Sequence, residues 1–132
     1  MEGEYISLET AKLKAETENN NLKMIEDLLK IVNHYGIYKQ LKYIHTEYFE
    51  LDEAIINCWR GYDYSPIQLG RSYEEHIAEE IADIMVMLKQ FQYYYEITDK
   101  TIEDIIKEKV QRQLERIDKE WKNKNMQNFI NI

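Results

Sequence analysis

The sequence predicts an all-α protein, and three observations support this class. Gly and Pro, which mark the tight turns of all-β folds, number only four and one among 132 residues. Long stretches without either residue favour a few long helices. Apolar side chains recur along these stretches with helical spacing. We therefore expect a four-helix antiparallel bundle that is completed by oligomerisation.

The first two helices are separated by a single glycine. Ser7 is a good N-cap for a helix that ends near Tyr35, with the asparagines at 19–21 as a point where it could be interrupted. Gly36 then breaks or bends the chain. A second helix is expected over residues 37–60.

A loop precedes the last two helices. Residues 61–70 hold the only Pro and two of the four Gly, which predicts a loop. A third helix is expected over residues 72–96, and Thr98 can cap a fourth over residues 100–122.

The length of 132 residues predicts a single domain with one hydrophobic core. Within it we expect an N-terminal helical extension at 1–21, a core at 22–122 and a tail at 123–132.

Composition excludes several classes of function. The chain has 17 Lys plus Arg against 25 Asp plus Glu, a net charge of −8, and so lacks the basic surface of a duplex nucleic-acid binder. No apolar run approaches the ~20 residues that span a membrane. The first residues lack the pattern of a signal peptide, and the one cysteine, Cys58, has apolar neighbours that suit a core thiol. A cytoplasmic location is expected.

Two acidic pairs stand out by their position on helices rather than by their number. Acidic pairs three residues apart occur five times, about as often as chance predicts in so acidic a chain. At about 100° per residue around the helix axis, Glu47 borders the apolar face of the second helix. Glu50 lies about 60° from Glu47, on the side away from that face. On the third helix Glu80 falls inside the apolar arc, about 60° from Asp83, which lies at the edge of that arc.

Carboxylates that face a core are costly unless a cation or metal neutralises them or they become protonated. Two helices that each direct such a pair to one interior would bring four negative charges together. Oxygen ligands alone favour a hard divalent ion, Mg²⁺ or Mn²⁺. The alternative is that Glu47 and Glu80 form salt bridges with Lys or Arg of a neighbouring helix.

The fourth helix places cationic and amide groups near its own apolar face. Lys109, Gln113 and Arg116 border or enter the apolar arc of this helix. Cations on one helix and carboxylates on two others suit a metal-chelated polyphosphate. Direct salt bridges from Lys109 or Arg116 to Glu47 or Glu80 are the alternative.

These residues resemble the MazG-like all-α nucleoside triphosphate pyrophosphohydrolases. That family has a Glu-x-x-Glu motif, a spacer and then Glu-x-x-Asp, which match Glu47-x-x-Glu50 and Glu80-x-x-Asp83. The following helix of the family often has Lys, then Asn four positions later and Arg after three more. Lys109 and Arg116 match this pattern, whereas Gln113 replaces the Asn. The likeness spans about residues 22–116.

The resemblance implies hydrolysis of a nucleoside triphosphate between the α- and β-phosphates to monophosphate and pyrophosphate. The four acidic residues would be catalytic and would hold Mg²⁺ or Mn²⁺, and one of them, with Glu80 as our choice, would act as general base. Lys109, Gln113 and Arg116 would bind the substrate. The resemblance also implies a homodimer or a dimer-based tetramer. Trp59, Tyr62 and Tyr64 could cover the base of the substrate.

Two other interpretations of the sequence compete with the hydrolase. A ferritin-like di-iron bundle needs Glu-x-x-His motifs, and none of the three histidines has an acid three positions earlier. A non-catalytic helical interaction protein related to the family remains the alternative. His76, one turn before Glu80, could orient that carboxylate or form a structural hydrogen bond.

Overall fold

Nearly all the residues that can be described are helical. The structure, a computed structural model, describes the backbone of residues 8–60 and 72–130 and the side chains of residues 21–59 and 72–130. These residues form four helices and no strand, which confirms the all-α class. The chain divides into two compact units, Met1–Glu96 and Ile97–Ile132, which we describe separately. The one-domain organisation over 1–132, with an extension at 1–21, stays a prediction.

The first unit contains α1 (Leu8–Tyr35), α2 (Ile37–Arg60) and α3 (Tyr73–Tyr94). Helix α1 is continuous, so the interruption considered at 19–21 is not observed. The predicted bounds of α2 are confirmed. The predicted cap at Ser7 and the predicted loop lie outside the described residues.

Gly36 allows α2 to start directly after α1. Its φ of +89° lies in the left-handed region that favours glycine. The Gly36 N–H donates to the carbonyl oxygen of Val32 at 2.8 Å, and the Gln40 N–H donates to the carbonyl of Gly36 at 3.1 Å. One residue therefore terminates α1, bends the chain and supplies the first acceptor of α2.

A side-chain cap marks the start of α3, and a residue with a positive φ lies just beyond its end. The Ser72 hydroxyl accepts from the Glu75 N–H, and the Glu75 carboxylate accepts from the Ser72 N–H, each at 3.2 Å. This reciprocal pair is a capping box, which satisfies backbone donors at the helix start. The helix ends at Tyr94, two residues before the expected limit, because Glu96 adopts a φ of 57°.

Helices α2 and α3 pack side by side, and α1 contacts both of them. The Gln40 Nε2 atom of α2 donates to Gln90 Oε1 of α3 at 2.9 Å. Further along α2, Glu47 and Glu50 lie close to Asp83 and Glu80, which come earlier in α3. The two helices are therefore antiparallel.

The interior of the first unit is unusually polar. Among its described side chains, the buried apolar ones are few: Leu28, Val32, Ala54 and Met87. The buried polar side chains are as numerous: Gln40, Glu47, Glu80, Gln90 and Gln92. Natural proteins place such groups inside mainly where they are satisfied or functional.

The buried face of α2 differs from the predicted one. Helical spacing places Leu41 and Tyr48 on the predicted apolar face of this helix, but they are 52% and 66% exposed. The buried stripe is instead rotated towards Glu47 and Ala54. Glu47 thus lies within the buried face rather than at its border, because the contact with α3 is centred on polar residues.

The second unit contains α4 (Asp99–Ile130). The Thr98 hydroxyl accepts from the Thr101 N–H at 3.2 Å, which confirms Thr98 as the cap. The helix continues beyond the predicted end at 122 and is supported by i,i+4 ion pairs, among them Lys100–Asp104 at 3.1 Å. No helix in the described ranges is long and apolar enough to cross a membrane.

Candidate metal centre

Four carboxylates converge between α2 and α3. Each offers one oxygen that lies within 4.8 Å of the others. We call this set the acidic cluster, and its members are Glu47, Glu50, Glu80 and Asp83. All four acidic residues that the sequence singled out are therefore brought together.

Helix geometry and antiparallel contact explain this convergence. Residues three apart lie on the same helix face, so each Glu-x-x-acid pair projects in one direction. The hydrogen bond from Gln40 to Gln90 sets the register of the two helices. With that register, the pair on α2 lies opposite the pair on α3.

Two members of the acidic cluster are buried and incompletely hydrogen-bonded. Glu47 and Glu80 are only 6% and 8% exposed. The Oε2 atom of each is buried and has no hydrogen-bond partner among the described residues. Glu50 and Asp83 are exposed, so the cluster opens to solvent on one side. A buried carboxylate oxygen without a partner is costly and requires a ligand or a proton.

Burial and mutual repulsion raise two pKa values in the acidic cluster. Desolvation is the main cause that raises the pKa of Glu47, and the charges of Asp83 and Glu50 raise it further. Desolvation likewise raises the pKa of Glu80, with Glu50 and Asp83 as the next causes. Two unit charges 4.8 Å apart repel by about 3 kcal/mol at an effective dielectric constant of about 20. A divalent cation would remove this repulsion.

Tyr43 is a further polar neighbour of the acidic cluster. Its phenol hydrogen-bonds to the Glu47 side chain, which favours the ionised form of that carboxylate. In turn, the Glu47 charge is the main cause that raises the pKa of Tyr43. Tyr43 was not among the predicted site residues, although its position one turn before Glu47 is a usable signal.

His76 lies beside Glu80, one turn earlier on α3. Its Nε2 atom is 3.8 Å from Glu80 Oε1, and both side chains are largely buried. The separation exceeds a hydrogen bond and gives an ion pair only when the imidazole is protonated. The spacing of His76 and Glu80 suggested a contact between them. That contact is present, although it is not a hydrogen bond.

The salt-bridge alternative is not observed among the described side chains of the first unit. Among the described residues of that unit, no lysine or arginine pairs with the acidic cluster, and His76 supplies its one basic contact. Buried carboxylates without a cationic partner are costly, and a bound metal ion is one way to compensate that cost.

The predicted phosphate-binding residues belong to the second unit. Lys109, Gln113 and Arg116 lie on α4, and their side chains are exposed. Their binding role stays a prediction. Of the aromatic residues suggested for the base, Trp59 is 84% exposed, and Tyr62 and Tyr64 lie outside the described residues.

The donor set of the acidic cluster fits a hard divalent cation. All its donors are carboxylate oxygens, which suit Mg²⁺ and Mn²⁺ rather than zinc or copper. The two buried Oε2 atoms are the acceptors that an ion would satisfy. Glu47, Glu50, Glu80 and Asp83 are the residues that would hold it.

The fold and the site define an all-α protein with a partly buried four-carboxylate cluster between two antiparallel helices. Comparisons with protein-family models, curated proteins and solved structures found no match to this chain. A functional assignment therefore depends on the site itself and on the resemblance between motifs.

Proposed function

We propose that the protein is a Mg²⁺-dependent nucleoside triphosphate pyrophosphohydrolase that also accepts Mn²⁺. It would cleave ribo- or deoxynucleoside triphosphates between the α- and β-phosphates. One observation supports this most strongly: the acidic cluster contains two buried carboxylates, each with an oxygen that lacks a partner. The resemblance of both acidic motifs to the MazG-like family supports the choice of reaction.

The acidic cluster would bind the cation, which supplies charge neutralisation for the triphosphate and polarises its oxygens. Glu80 is our candidate for the general base, because it is the more deeply placed acid of its pair and burial raises its pKa above the usual value. It would take a proton from the water that attacks the α-phosphorus. The bond from that phosphorus to the bridging oxygen then breaks, and pyrophosphate leaves with the electron pair.

Lys109 and Arg116 are proposed to bind phosphate oxygens of the substrate and of the leaving pyrophosphate. Charge-assisted hydrogen bonds of this kind are strong and favour developing negative charge. Gln113 replaces the asparagine of the family pattern and is proposed to contact the substrate through its amide.

We further propose a homodimer or a dimer-based tetramer in the cytoplasm. Large apolar side chains remain uncovered in the single chain, including Leu41 and Tyr48 on α2 and Leu88 on α3. An assembled oligomer would bury such surface. Light scattering coupled to size-exclusion chromatography measures this directly.

The decisive experiment is a substrate panel. The protein is incubated with each ribo- and deoxynucleoside triphosphate and Mg²⁺, and products are separated by ion-exchange chromatography. Monophosphate plus pyrophosphate is the expected result. Diphosphate plus inorganic phosphate would contradict cleavage at the α-phosphorus.

A non-catalytic interaction protein is the second candidate. The uncovered apolar side chains would also suit a binding surface for another protein. Lack of turnover with every nucleotide and with either Mg²⁺ or Mn²⁺ would favour this candidate over the hydrolase.

A further inference from the structure

A cavity of about 400 Å³ lies at the corner between α1 and α2. Tyr35, at the end of α1, forms one part of its lining, and Lys39, Gln40 and Tyr43 of α2 form the rest. The volume falls within the range of ~300–1,000 Å³ that is typical of small-molecule sites. Apart from the contact of Tyr43 with Glu47, the metal-binding and phosphate-binding roles proposed above use none of these residues.

One side chain links the cavity to the acidic cluster. Tyr43 lines the cavity and also hydrogen-bonds to Glu47. It precedes Glu47 by four positions, about 6 Å along the helix axis. A ligand held in the cavity would therefore lie next to a group bound at the acidic cluster.

The lining of the cavity differs in charge from the acidic cluster. It contains two phenol rings, one amide and one ammonium group, and no carboxylate. The Lys39 Nζ atom lies 5.2 Å from the centroid of the Tyr35 ring, which is a cation–π distance. Such a lining suits a flat aromatic group rather than a metal ion. The tyrosine rings can stack on an aromatic ring, and the ammonium group attracts its acceptor atoms.

Gln40 adds an oriented polar group to this lining. Its Nε2 atom donates to Gln90 Oε1 at 2.9 Å, and Gln90 Nε2 donates to the Met87 sulfur at 3.7 Å. This chain of donors determines which way the Gln40 amide is turned. Its Oε1 atom takes no part in that bond and can accept from a ligand N–H.

We propose that this cavity binds the base of a nucleotide whose phosphates lie at the acidic cluster. The proposal rests on the proposed function and adds the location of base recognition to it. Stacking on the tyrosines supplies affinity that tolerates several bases, and the Gln40 carbonyl accepts from an N–H group of the base, which every nucleobase presents.

Kinetics of Tyr35→Leu test the proposal, with Tyr38→Leu as the matched control. Tyr38 lies on α2 beside the cavity residues but is 77% exposed and does not line the cavity. With the best triphosphate of the panel, Tyr35→Leu should raise KM about tenfold while kcat changes less than about twofold. Tyr38→Leu should leave both constants unchanged. Equal KM values for the two variants would overturn the proposal.

Metal-free binding separates this proposal from the hydrolase proposal. Each deoxynucleoside, which carries no phosphate for the metal-free carboxylates to repel, is titrated into the ¹⁵N-labelled full chain in EDTA, and backbone amide shifts are recorded. At least one should shift the amides of Tyr35, Lys39 and Gln40, and Tyr35→Leu should weaken that binding. If these shifts occur without any triphosphate turnover, the hydrolase proposal fails and the base site stands. If turnover occurs but no deoxynucleoside shifts these amides, the base site is wrong.

Discussion

Glu47 of α2 and Glu80 of α3 meet across an antiparallel helix contact, and each has a buried oxygen without a hydrogen-bond partner among the described residues. Carboxylates in such surroundings destabilise a protein unless a ligand compensates for them. The metal-binding proposal depends on this pair, because a cation would satisfy both of these oxygens.

Replacing Glu80 should separate function from stability. We expect Glu80→Gln to lower triphosphate turnover by about a hundredfold or more, because it removes a metal ligand and the proposed base. In EDTA its Tm should stay the same or rise, because the substitution removes a buried charge that is repelled by Glu50 and Asp83. Circular dichroism measures Tm, and Glu53→Gln, exposed on the same unit, is the control. A marked loss of Tm in Glu80→Gln alone would identify a structural role instead.

Divalent cations should stabilise the folded protein. An ion that binds only the native state adds about 2.7 kcal/mol at a hundred times its Kd, which corresponds to a Tm increase on the order of 5–10 °C. Scanning fluorimetry with increasing MgCl₂ or MnCl₂ measures this increase. The double variant Glu47→Gln/Glu80→Gln should lose the response, whereas Glu53→Gln should keep it. An equal response in the double variant would place metal binding elsewhere.

The metal-free protein should lose stability as pH rises from about 4.5. The folded-state pKa values of Glu47 and Glu80 are raised, so between the unfolded and folded pKa values the native state binds more protons. Their stabilising contribution is fully present below the unfolded pKa and is lost as pH rises through the folded pKa. Each group changes the free energy of unfolding by at most about 1.4 kcal/mol per pH unit.

Urea unfolding in EDTA at several pH values measures this effect. Because other groups also titrate, the relevant quantity is the difference between wild type and Glu47→Gln/Glu80→Gln. The double variant should gain relative stability as pH rises towards neutrality. A difference that is independent of pH would show that neither pKa is raised in the folded state.

The exposed cations of α4 should contribute unequally to catalysis. Lys109→Ala and Arg116→Ala should each lower kcat/KM about tenfold or more, because each removes a charge-assisted hydrogen bond to phosphate. Lys107→Ala and Arg112→Ala are matched controls, since both residues are exposed on the same helix. Steady-state kinetics with Mg²⁺ compare the four variants. Similar losses in all four would indicate only a general effect of net charge.

The buried amide pair of Gln40 and Gln90 should show energetic coupling in a double-mutant cycle. Gln40→Leu leaves the Gln90 oxygen without its buried donor, which should cost about 1–3 kcal/mol of unfolding free energy. The double variant Gln40→Leu/Gln90→Leu should cost less than the sum of the two single variants. Urea unfolding of the three variants gives the coupling energy, and strict additivity would contradict a specific bond.

Much of the fold follows from local sequence signals. Sparse Gly and Pro, the helical period of apolar residues and the cap at Thr98 predict the class and the number of helices. Gly36 predicts the break between α1 and α2, because a left-handed φ is accessible to glycine at little cost. The end of α3 was missed, since Glu96 adopts a positive φ that its side chain does not signal.

The site was only partly predictable. Spacing alone placed Glu47 with Glu50 and Glu80 with Asp83, because residues three apart share a helix face. Whether the two pairs meet depends on the register between α2 and α3, and that register involves Gln40 and Gln90, fifty positions apart. The same contact rotates Leu41 and Tyr48 out of the interior and brings Glu47 into it. Local sequence therefore determined the helices and their acidic faces, whereas only tertiary contact decided which faces are buried together, because burial depends on a partner helix that is distant in the chain.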